Sequence, residues 1–313
     1  MLGISLIGAG EQARLAEKIL TKHKDIKINF ILVRKNKKIH KPKFTKSIKN
    51  LLNSDMIYIC VPPKENFNIL KKLYKLNYKN YILSEKPVVH NAREMNLALK
   101  FKNSFKKKIF VNFNFQKSDI ANLIEKNLKM KKNGKLKFLS FQITHGAAYK
   151  PGWKHGWRIN SKLGPIEGMA IHFVQFMKHN FGKFKIAHSS LSSNAHKNKI
   201  DTSDTLIKFK NKSAFLRFSY SEPMHIYFEL IFSNAKIIYD GTYFKYYLGR
   251  ENLNKFGRFV VPKLINKYKI DFYKDWRYSI SKNFSDIIKK IKNNKKNTLK
   301  QINSDISILK FFY

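Results

Sequence analysis

A glycine-rich turn near the start of the sequence has the composition of a phosphate-binding loop. The apolar segment that ends at Ile7 runs into a G-x-G-x-x-A turn, and helix-forming residues follow as far as Leu20. Gly8 permits a tight turn, the missing side chain of Gly10 lets a pyrophosphate approach the backbone, and Ala13 allows close packing of the helix on a sheet. The helix N-terminus offers N–H groups and a partial positive charge to the phosphates. We expect the dinucleotide-contacting residues of this turn to be Gly8, Ala9, Gly10, Glu11 and Gln12.

The second apolar segment, Ile28 to Val33, completes a strand–helix–strand unit and ends at two cations. An acidic residue at this point usually binds the ribose 2′-OH of NAD. Arg34 and Lys35 could instead hold a 2′-phosphate, so we favour NADP over NAD as the cofactor. An alternative for the two cations is that a lysine-rich background places them here by chance. An alternative for the glycine turn is an ordinary turn whose glycines serve packing.

Two further predicted strands end in proline turns. Asp55 to Val61 is closed by Pro62 and Pro63, and Tyr81 to Ser84 is followed by the tripeptide Glu-Lys-Pro. Ligands of open α/β sheets bind at the carboxyl ends of the strands. We therefore expect both turns to contact the cofactor, through Val61, Pro62, Pro63, Glu85, Lys86 and Pro87.

The order and spacing of these motifs resemble the Gfo/Idh/MocA oxidoreductases, the family of glucose-fructose oxidoreductase and inositol dehydrogenase. The resemblance covers nearly the whole chain, and its most specific mark is the strand that ends in Glu85-Lys86-Pro87. It implies that Lys86 is a catalytic lysine beside the nicotinamide and the substrate hydroxyl. It also implies an NAD(P)-binding Rossmann domain at residues 1–115 and a substrate and oligomerisation domain at residues 116–313, whose C-terminal helices pack back on the first domain.

Beyond Phe113 the predicted strands become longer, and apolar and polar side chains alternate along them. The segment Phe215 to Tyr220 shows this alternation, which is typical of a half-buried antiparallel strand. The predicted fold class is therefore an α/β Rossmann domain followed by an α+β domain with a large, mostly antiparallel open sheet.

The segment Leu163 to His172 resembles the glycine-rich turn and helix on which the family carries a catalytic histidine. His172 falls at that position, where an imidazole would exchange the hydroxyl proton as hydride moves. The family has an aspartate four residues earlier, but this sequence has Gly168, and Glu167 would point about 100° away on a helix. The sequence also has Gln175, Asn66 and Asn112 near positions where the family has an aspartate, a histidine and an arginine.

Three interpretations of these departures stay open. The substrate could differ from a simple polyol, Lys86 and His172 could suffice, or the protein could be a catalytically silent regulator that binds dinucleotide. Aromatic residues crowd the loop from Thr144 to Arg158, where rings can stack on sugar faces and Arg158 can hold a carboxylate or phosphate. We expect the substrate-binding residues to be Asn112, Tyr149, Trp157, Arg158 and His172. We find no zinc-like Cys/His spacing and expect no metal.

The charge of the chain is extreme, with 63 basic and 20 acidic residues and a net charge of +43. A polyanion-binding or membrane-surface role is one interpretation. Only eight of the basic residues are Arg, and the lysines are spread along the whole chain among many Asn, Ile, Phe and Tyr. This pattern favours the coding bias of an A/T-rich genome over specific nucleic-acid recognition.

We find no apolar run near the ~20 residues needed to span a membrane and no pattern of a signal peptide. The single cysteine, Cys60, fits a reducing compartment, so we expect a cytoplasmic protein. The resemblance implies a homodimer or homotetramer. The leading hypothesis is an NAD(P)-dependent oxidoreductase that moves hydride between nicotinamide and a carbinol or carbonyl carbon of a sugar, nucleotide-sugar or cyclitol.

Overall fold

The computed structural model describes residues 1–33, 43–153, 156–249 and 253–312. These residues form two compact units, each with its own sheet and core. The first unit comprises residues 1–113 and 281–311, and the second comprises residues 114–280 together with residue 312. Arg34 and Lys35 lie outside the described residues.

The first unit contains a six-stranded parallel sheet. In chain order its strands are β1 (Leu2–Ile7), β2 (Ile26–Leu32), β3 (Phe44–Thr45), β4 (Met56–Ile59), β5 (Tyr81–Ser84) and β6 (Ile109–Val111). Their order across the sheet is β3-β2-β1-β4-β5-β6, which is the dinucleotide-binding order. Strands β4 and β5 are buried along their whole length, because both faces of a parallel sheet are covered.

The helices of the first unit supply those covering layers. They are α1 (Glu11–Leu20), α2 (Pro63–Lys75), α3 (Ala92–Leu99) and α4 (Asn103–Lys106). Asn91 caps the N-terminus of helix α3, and its side chain accepts a hydrogen bond from the Glu94 N–H. Late in the chain, α8 (Leu299–Ile306) adds Ile302 and Ile306 to the same core as Leu70 and Ile82.

The second unit is built on an eight-stranded sheet. Its strands are β7 (Leu136–Thr144), β8 (Lys185–Ser192), β9 (Thr202–Lys208), β10 (Ser213–Ser219), β11 (His225–Phe232), β12 (Ala235–Tyr239), β13 (Tyr243–Leu248) and β14 (Lys263–Lys269). Their order is β14-β13-β12-β11-β7-β10-β9-β8, and every pairing is antiparallel except that of β7 with β10. The two sheets together confirm the predicted fold class.

Three helices belong wholly or in part to the second unit: α5 (Asp119–Leu128), α6 (Ile171–Phe181) and α7 (Phe272–Lys292), which continues into the first unit. A wide π-type turn at Ile166–Ala170 leads into α6. Phenylalanines dominate the core between helices and sheet, with the rings of Phe115 and Phe173 4.4 Å apart and those of Phe141 and Phe228 5.1 Å apart. No helix within the described ranges combines the length and apolar character that crossing a bilayer requires.

Candidate active site

The two glycines of the turn after β1 contribute in different ways. Gly8 adopts φ +122°, a conformation that favours glycine, and a Cβ there would overlap the carbonyl oxygen of Cys60. A Cβ on Gly10 would meet no atom within 4 Å, and Gly10 immediately precedes α1. The backbone before the helix is therefore open to a phosphate, and the first N–H groups of a helix have no intrahelical partner. Ala9 lies between the two glycines, and Glu11 and Gln12 are the first residues of α1.

Three turns lie at one edge of the parallel sheet. The glycine turn follows β1, the residues 61–63 follow β4, and the residues 85–87 follow β5. Strands β1, β4 and β5 are consecutive neighbours and run parallel, so their carboxyl ends meet at the same edge. The structure thus brings together the candidate cofactor-binding residues of the described part of the first unit.

The turn that carries Lys86 is held from both sides by Asn66 of helix α2. The Asn66 side-chain amide donates hydrogen bonds to the carbonyl oxygens of Glu85 at 3.0 Å and of Pro87 at 2.8 Å. Asn66 is fully buried, whereas Lys86 is half-buried, and the Lys86–Pro87 peptide bond is cis. The backbone on either side of the candidate catalytic lysine is therefore fixed to the core.

The neighbouring carboxylate of Glu85 accepts two hydrogen bonds from buried donors. One comes from the Tyr58 hydroxyl and the other from the Asn112 side-chain amide at 2.6 Å. Asn283 in turn donates to the Asn112 oxygen at 2.7 Å. Burial and the negative charge of Glu85 raise the pKa of Tyr58, so this hydroxyl stays a donor. Asn112, a candidate substrate-binding residue, is thus buried and engaged within the first unit.

The second unit presents His172 near the start of α6. The side chain is 3% exposed, and its ring meets the ring of Trp276 edge to face with centroids 5.0 Å apart. Glu167, in the turn before the helix, is also buried, and its carboxylate accepts a hydrogen bond from the Ser161 hydroxyl at 2.7 Å. Gln175, one turn further along α6, accepts a hydrogen bond from Gln116.

The loop before α6 gathers aromatic and basic side chains. The Arg158 guanidinium lies over the ring of Trp157 at 4.6 Å, and the exposed Tyr149 donates to the carbonyl of Ser221 at 3.3 Å. Burial lowers the pKa of His145, and the positive charges of Arg158 and Lys150 lower it further. Aromatic faces beside a cation suit a polyhydroxylated ligand that carries an anionic group.

Sequence reasoning missed the side chains that support these candidates. Asn66 holds the backbone of the Lys86 turn, Tyr58 holds the Glu85 carboxylate, and Asn283 holds Asn112. Tyr220 fills the space beside Gly168, where a Cβ would overlap its hydroxyl. The glycine at position 168 indicates that another side chain occupies this space, but the sequence does not identify that side chain. Lys86 belongs to the first unit and His172 to the second, and their convergence on one nicotinamide stays a prediction.

Comparison with known proteins finds a match to one family model, confined to the first part of the chain. Residues 2–113 match the model of the Gfo/Idh/MocA family, described as an oxidoreductase family with an NAD-binding Rossmann fold. A search among curated proteins finds no significant relative of the sequence.

Solved structures share the fold over almost the entire chain. Levoglucosan dehydrogenase in complex with NADH and levoglucosan is 13% identical with a TM-score of 0.77, and the alignment covers 99% of this chain and 95% of that one. An oxidoreductase from Agrobacterium radiobacter in complex with NAD+, L-tartaric acid and magnesium is 12% identical with a TM-score of 0.77, over 99% and 94%. An oxidoreductase from Thermotoga maritima is 18% identical with a TM-score of 0.76, over 99% and 95%. At these identities the similarity establishes the fold alone.

Proposed function

We propose that the chain, whose residues 2–113 match the model of the Gfo/Idh/MocA oxidoreductase family, transfers a hydride between a nicotinamide dinucleotide and a carbinol or carbonyl carbon of a sugar-like substrate. The observation that carries the proposal is the meeting of the glycine turn and the Lys86 turn at one edge of the sheet. A nucleotide-binding loop and a fixed lysine at the same edge are the two parts that such a transfer needs.

The described residues fit a dinucleotide. Gly8 is fixed in a conformation suited to glycine, and the backbone at Gly10 is open where the pyrophosphate would approach. When bound, the nicotinamide would donate or accept the hydride. NADP remains the favoured form because Arg34 and Lys35 follow β2, although the levoglucosan dehydrogenase complex contains NADH.

The protein's own side chains would then handle the substrate oxygen and its proton. The Lys86 ammonium would orient and polarise the oxygen, and the His172 imidazole would take or return the proton. Trp157, Arg158 and Tyr149 would hold the rest of the molecule. Asn112 is engaged by Glu85 and Asn283, which supports a role in positioning the Lys86 turn more than direct substrate contact.

The proposed substrate is a sugar, nucleotide-sugar or cyclitol, including forms that carry an anionic group. The related folds that bind levoglucosan or L-tartaric acid support small polyhydroxylated molecules as the class. Strand β14 is exposed at all seven of its residues, which supports assembly of a dimer or tetramer through this sheet. The buried, single Cys60 supports a reducing, cytoplasmic setting.

Lys86→Ala tests the proposal. The variant should bind NADPH or NADH as the wild type does in calorimetry, but should oxidise bound NADPH at least about 10²-fold more slowly when ketosugars are added. Lys64→Ala, at an exposed position of α2, is the matched control and should behave as the wild type. Turnover that survives in Lys86→Ala would remove the lysine from the mechanism, and failure of the wild type to bind either dinucleotide would remove the proposed function.

A second candidate function is that of a dinucleotide-binding regulator without turnover. The glycine at position 168, in place of an acidic residue, favours it. Rapid mixing of the NADPH-bound protein with a panel of ketosugars separates the two candidates. Any substrate-dependent loss of NADPH absorbance that His172→Ala abolishes contradicts a silent role.

A further inference from the structure

A buried hydroxyl group lies where a side chain at position 168 would stand. Tyr220 directly follows β10 and is 1% exposed. A Cβ added to Gly168 would overlap the hydroxyl oxygen of this tyrosine. Within the part of the chain that the structure describes, this oxygen has no hydrogen-bond partner of ordinary geometry, and the one group near enough to approach such a bond is the Arg158 guanidinium. A buried polar group without a partner lowers the stability of the folded protein, and such groups are uncommon. The Tyr220 hydroxyl is therefore a candidate for binding a ligand.

The tyrosine cannot easily turn its hydroxyl to solvent. Its ring packs against Trp153, with centroids 4.9 Å apart, and against His145, with centroids 5.2 Å apart. Its backbone is tied on both sides, since its N–H donates to the carbonyl of Asp201 at 2.8 Å and its carbonyl accepts from the N–H of Ala148 at 2.8 Å. The ring is therefore held with the hydroxyl directed at Gly168.

Charged groups of both signs lie around the hydroxyl. Burial raises the pKa of Tyr220 to about 12, the nearby Arg158 opposes this rise, and Glu167 adds to it. The phenol consequently keeps its proton at neutral pH. The Glu167 carboxylate accepts a hydrogen bond from Ser161, while the Arg158 side chain is exposed over Trp157. The phenol and the guanidinium are thus two neighbouring donors, and an anionic acceptor satisfies both.

We propose that Tyr220 and Arg158 form a carboxylate subsite, in which the hydroxyl and the guanidinium donate to the same carboxylate of the substrate. Gly168 makes room for this arrangement because any larger residue would displace the hydroxyl. His172 follows Gly168 by four residues, across the wide turn that leads into α6. The substrate is then a sugar acid whose carboxylate lies a few bonds from the carbon that exchanges hydride.

The role of this subsite in the reaction rests on the proposed function. The unsatisfied Tyr220 hydroxyl also leads to a separate prediction about the stability of the protein without ligand. In thermal unfolding of the full chain without ligand, Tyr220→Phe should keep or raise the Tm because it removes an unsatisfied group. Tyr239→Phe is the matched control in the same unit: its buried hydroxyl donates towards the carbonyls of Gly241 at 2.8 Å and Ile270 at 2.9 Å. This control should lower the Tm by several degrees, about 2–4 °C. A comparable loss in Tyr220→Phe would show that the protein itself satisfies the Tyr220 hydroxyl, and would overturn the proposal.

Calorimetry with matched acids and neutral compounds tests the ligand class. The probes are D-glucuronate against D-glucose, D-gluconate against D-glucitol, and L-tartrate against L-threitol, each with and without NADH. At least one acid should bind about tenfold or more tightly than its neutral counterpart, and Tyr220→Phe should weaken only the acid, by about fivefold to tenfold. Arg158→Gln should weaken binding of the acid further, and by a larger factor than it weakens binding of the neutral compound.

Three calorimetric outcomes would also overturn the subsite: equal affinity for acids and neutral compounds, an equal loss of both in Tyr220→Phe, or no binding of any acid by a protein that binds NADH. Failure to bind both NADH and NADPH refutes the proposed function alone. In that case the titrations without NADH still decide the subsite, because the preference for acids and its dependence on Tyr220 do not require the dinucleotide.

Discussion

Asn66 supplies two hydrogen bonds to the backbone around Lys86. Asn66→Ala should lower the free energy of unfolding by about 2–3 kcal/mol, because it leaves the carbonyls of Glu85 and Pro87 without a donor in a buried place. Urea denaturation measures the change. Asn68→Ala, on the exposed face of the same helix, is the control and should change the free energy by less than about 0.5 kcal/mol. Equal effects of the two variants would mean that the two hydrogen bonds from Asn66 contribute no stability.

His145 makes the second unit sensitive to mild acid. Burial and the charges of Arg158 and Lys150 lower its pKa in the folded state below the usual value of 6.5, so folding favours the neutral imidazole. Its stabilising contribution is therefore complete above about pH 6.5 and is lost as the pH falls towards the lowered pKa. Between about pH 7.5 and pH 5, the wild type should lose more stability than His145→Gln in urea denaturation. The exposed His188→Gln should instead follow the wild type, and parallel curves for all three would contradict the role of His145.

Some of these residues could be identified from the sequence and others could not. Gly8, Gly10 and Lys86 lie within short motifs, and the spacing of each motif indicates its function. The local sequence is therefore enough to identify these residues. Tyr220 is defined by what it touches. Its hydroxyl reaches Gly168 only because the register of β10 in the sheet brings two distant segments together, and no local pattern encodes that contact.

The same distinction holds for whole elements. The central parallel strands were predicted because they are continuous apolar runs, as in β4 and β5. Strands β13 and β14 were missed, since β14 is exposed throughout and lysines interrupt its apolar residues. Helix α5 ends in a lysine-rich segment, with Lys126 in its last turn. The first turn of that helix receives its support from a carboxylate more than 150 residues later in the chain.

That carboxylate is Asp275, which lies in the first turn of α7 and also binds the N-terminus of α5. Its two oxygens accept hydrogen bonds from the N–H groups of Asp119 at 2.8 Å and Ile120 at 3.0 Å, and the side chain is buried. Asp275→Asn removes the charge and one acceptor, so we expect a loss of about 2 kcal/mol in the free energy of unfolding. The surface pair of Asp286 and Lys290 provides the control, since Asp286→Asn should cost about 0.5 kcal/mol. A smaller effect for Asp275→Asn than for this control would show that α5 does not depend on the buried carboxylate.

At the scale of the whole molecule, the net charge of +43 destabilises the folded state through repulsion among like charges. No single helix or strand shows this effect. The described ion pairs are few beside this excess, and most sit at the surface, as do those of Lys245 with Asp240 and Lys292 with Asp25. Surface pairs of this kind contribute little to stability. Repulsion among the lysines should therefore dominate the electrostatic part of the folding free energy.

Salt should consequently stabilise the protein. Raising the NaCl concentration from about 10 mM to about 150 mM shortens the Debye length from about 30 Å to about 8 Å, which screens repulsion between distant lysines. We expect the Tm to rise by several degrees over this range, with most of the increase at the low end. Sulfate at matched ionic strength should raise the Tm further, because it is also excluded from the protein surface. A Tm that falls with NaCl would mean that attractive pairs outweigh the repulsion, and the charge would then be arranged to stabilise the fold instead of opposing it.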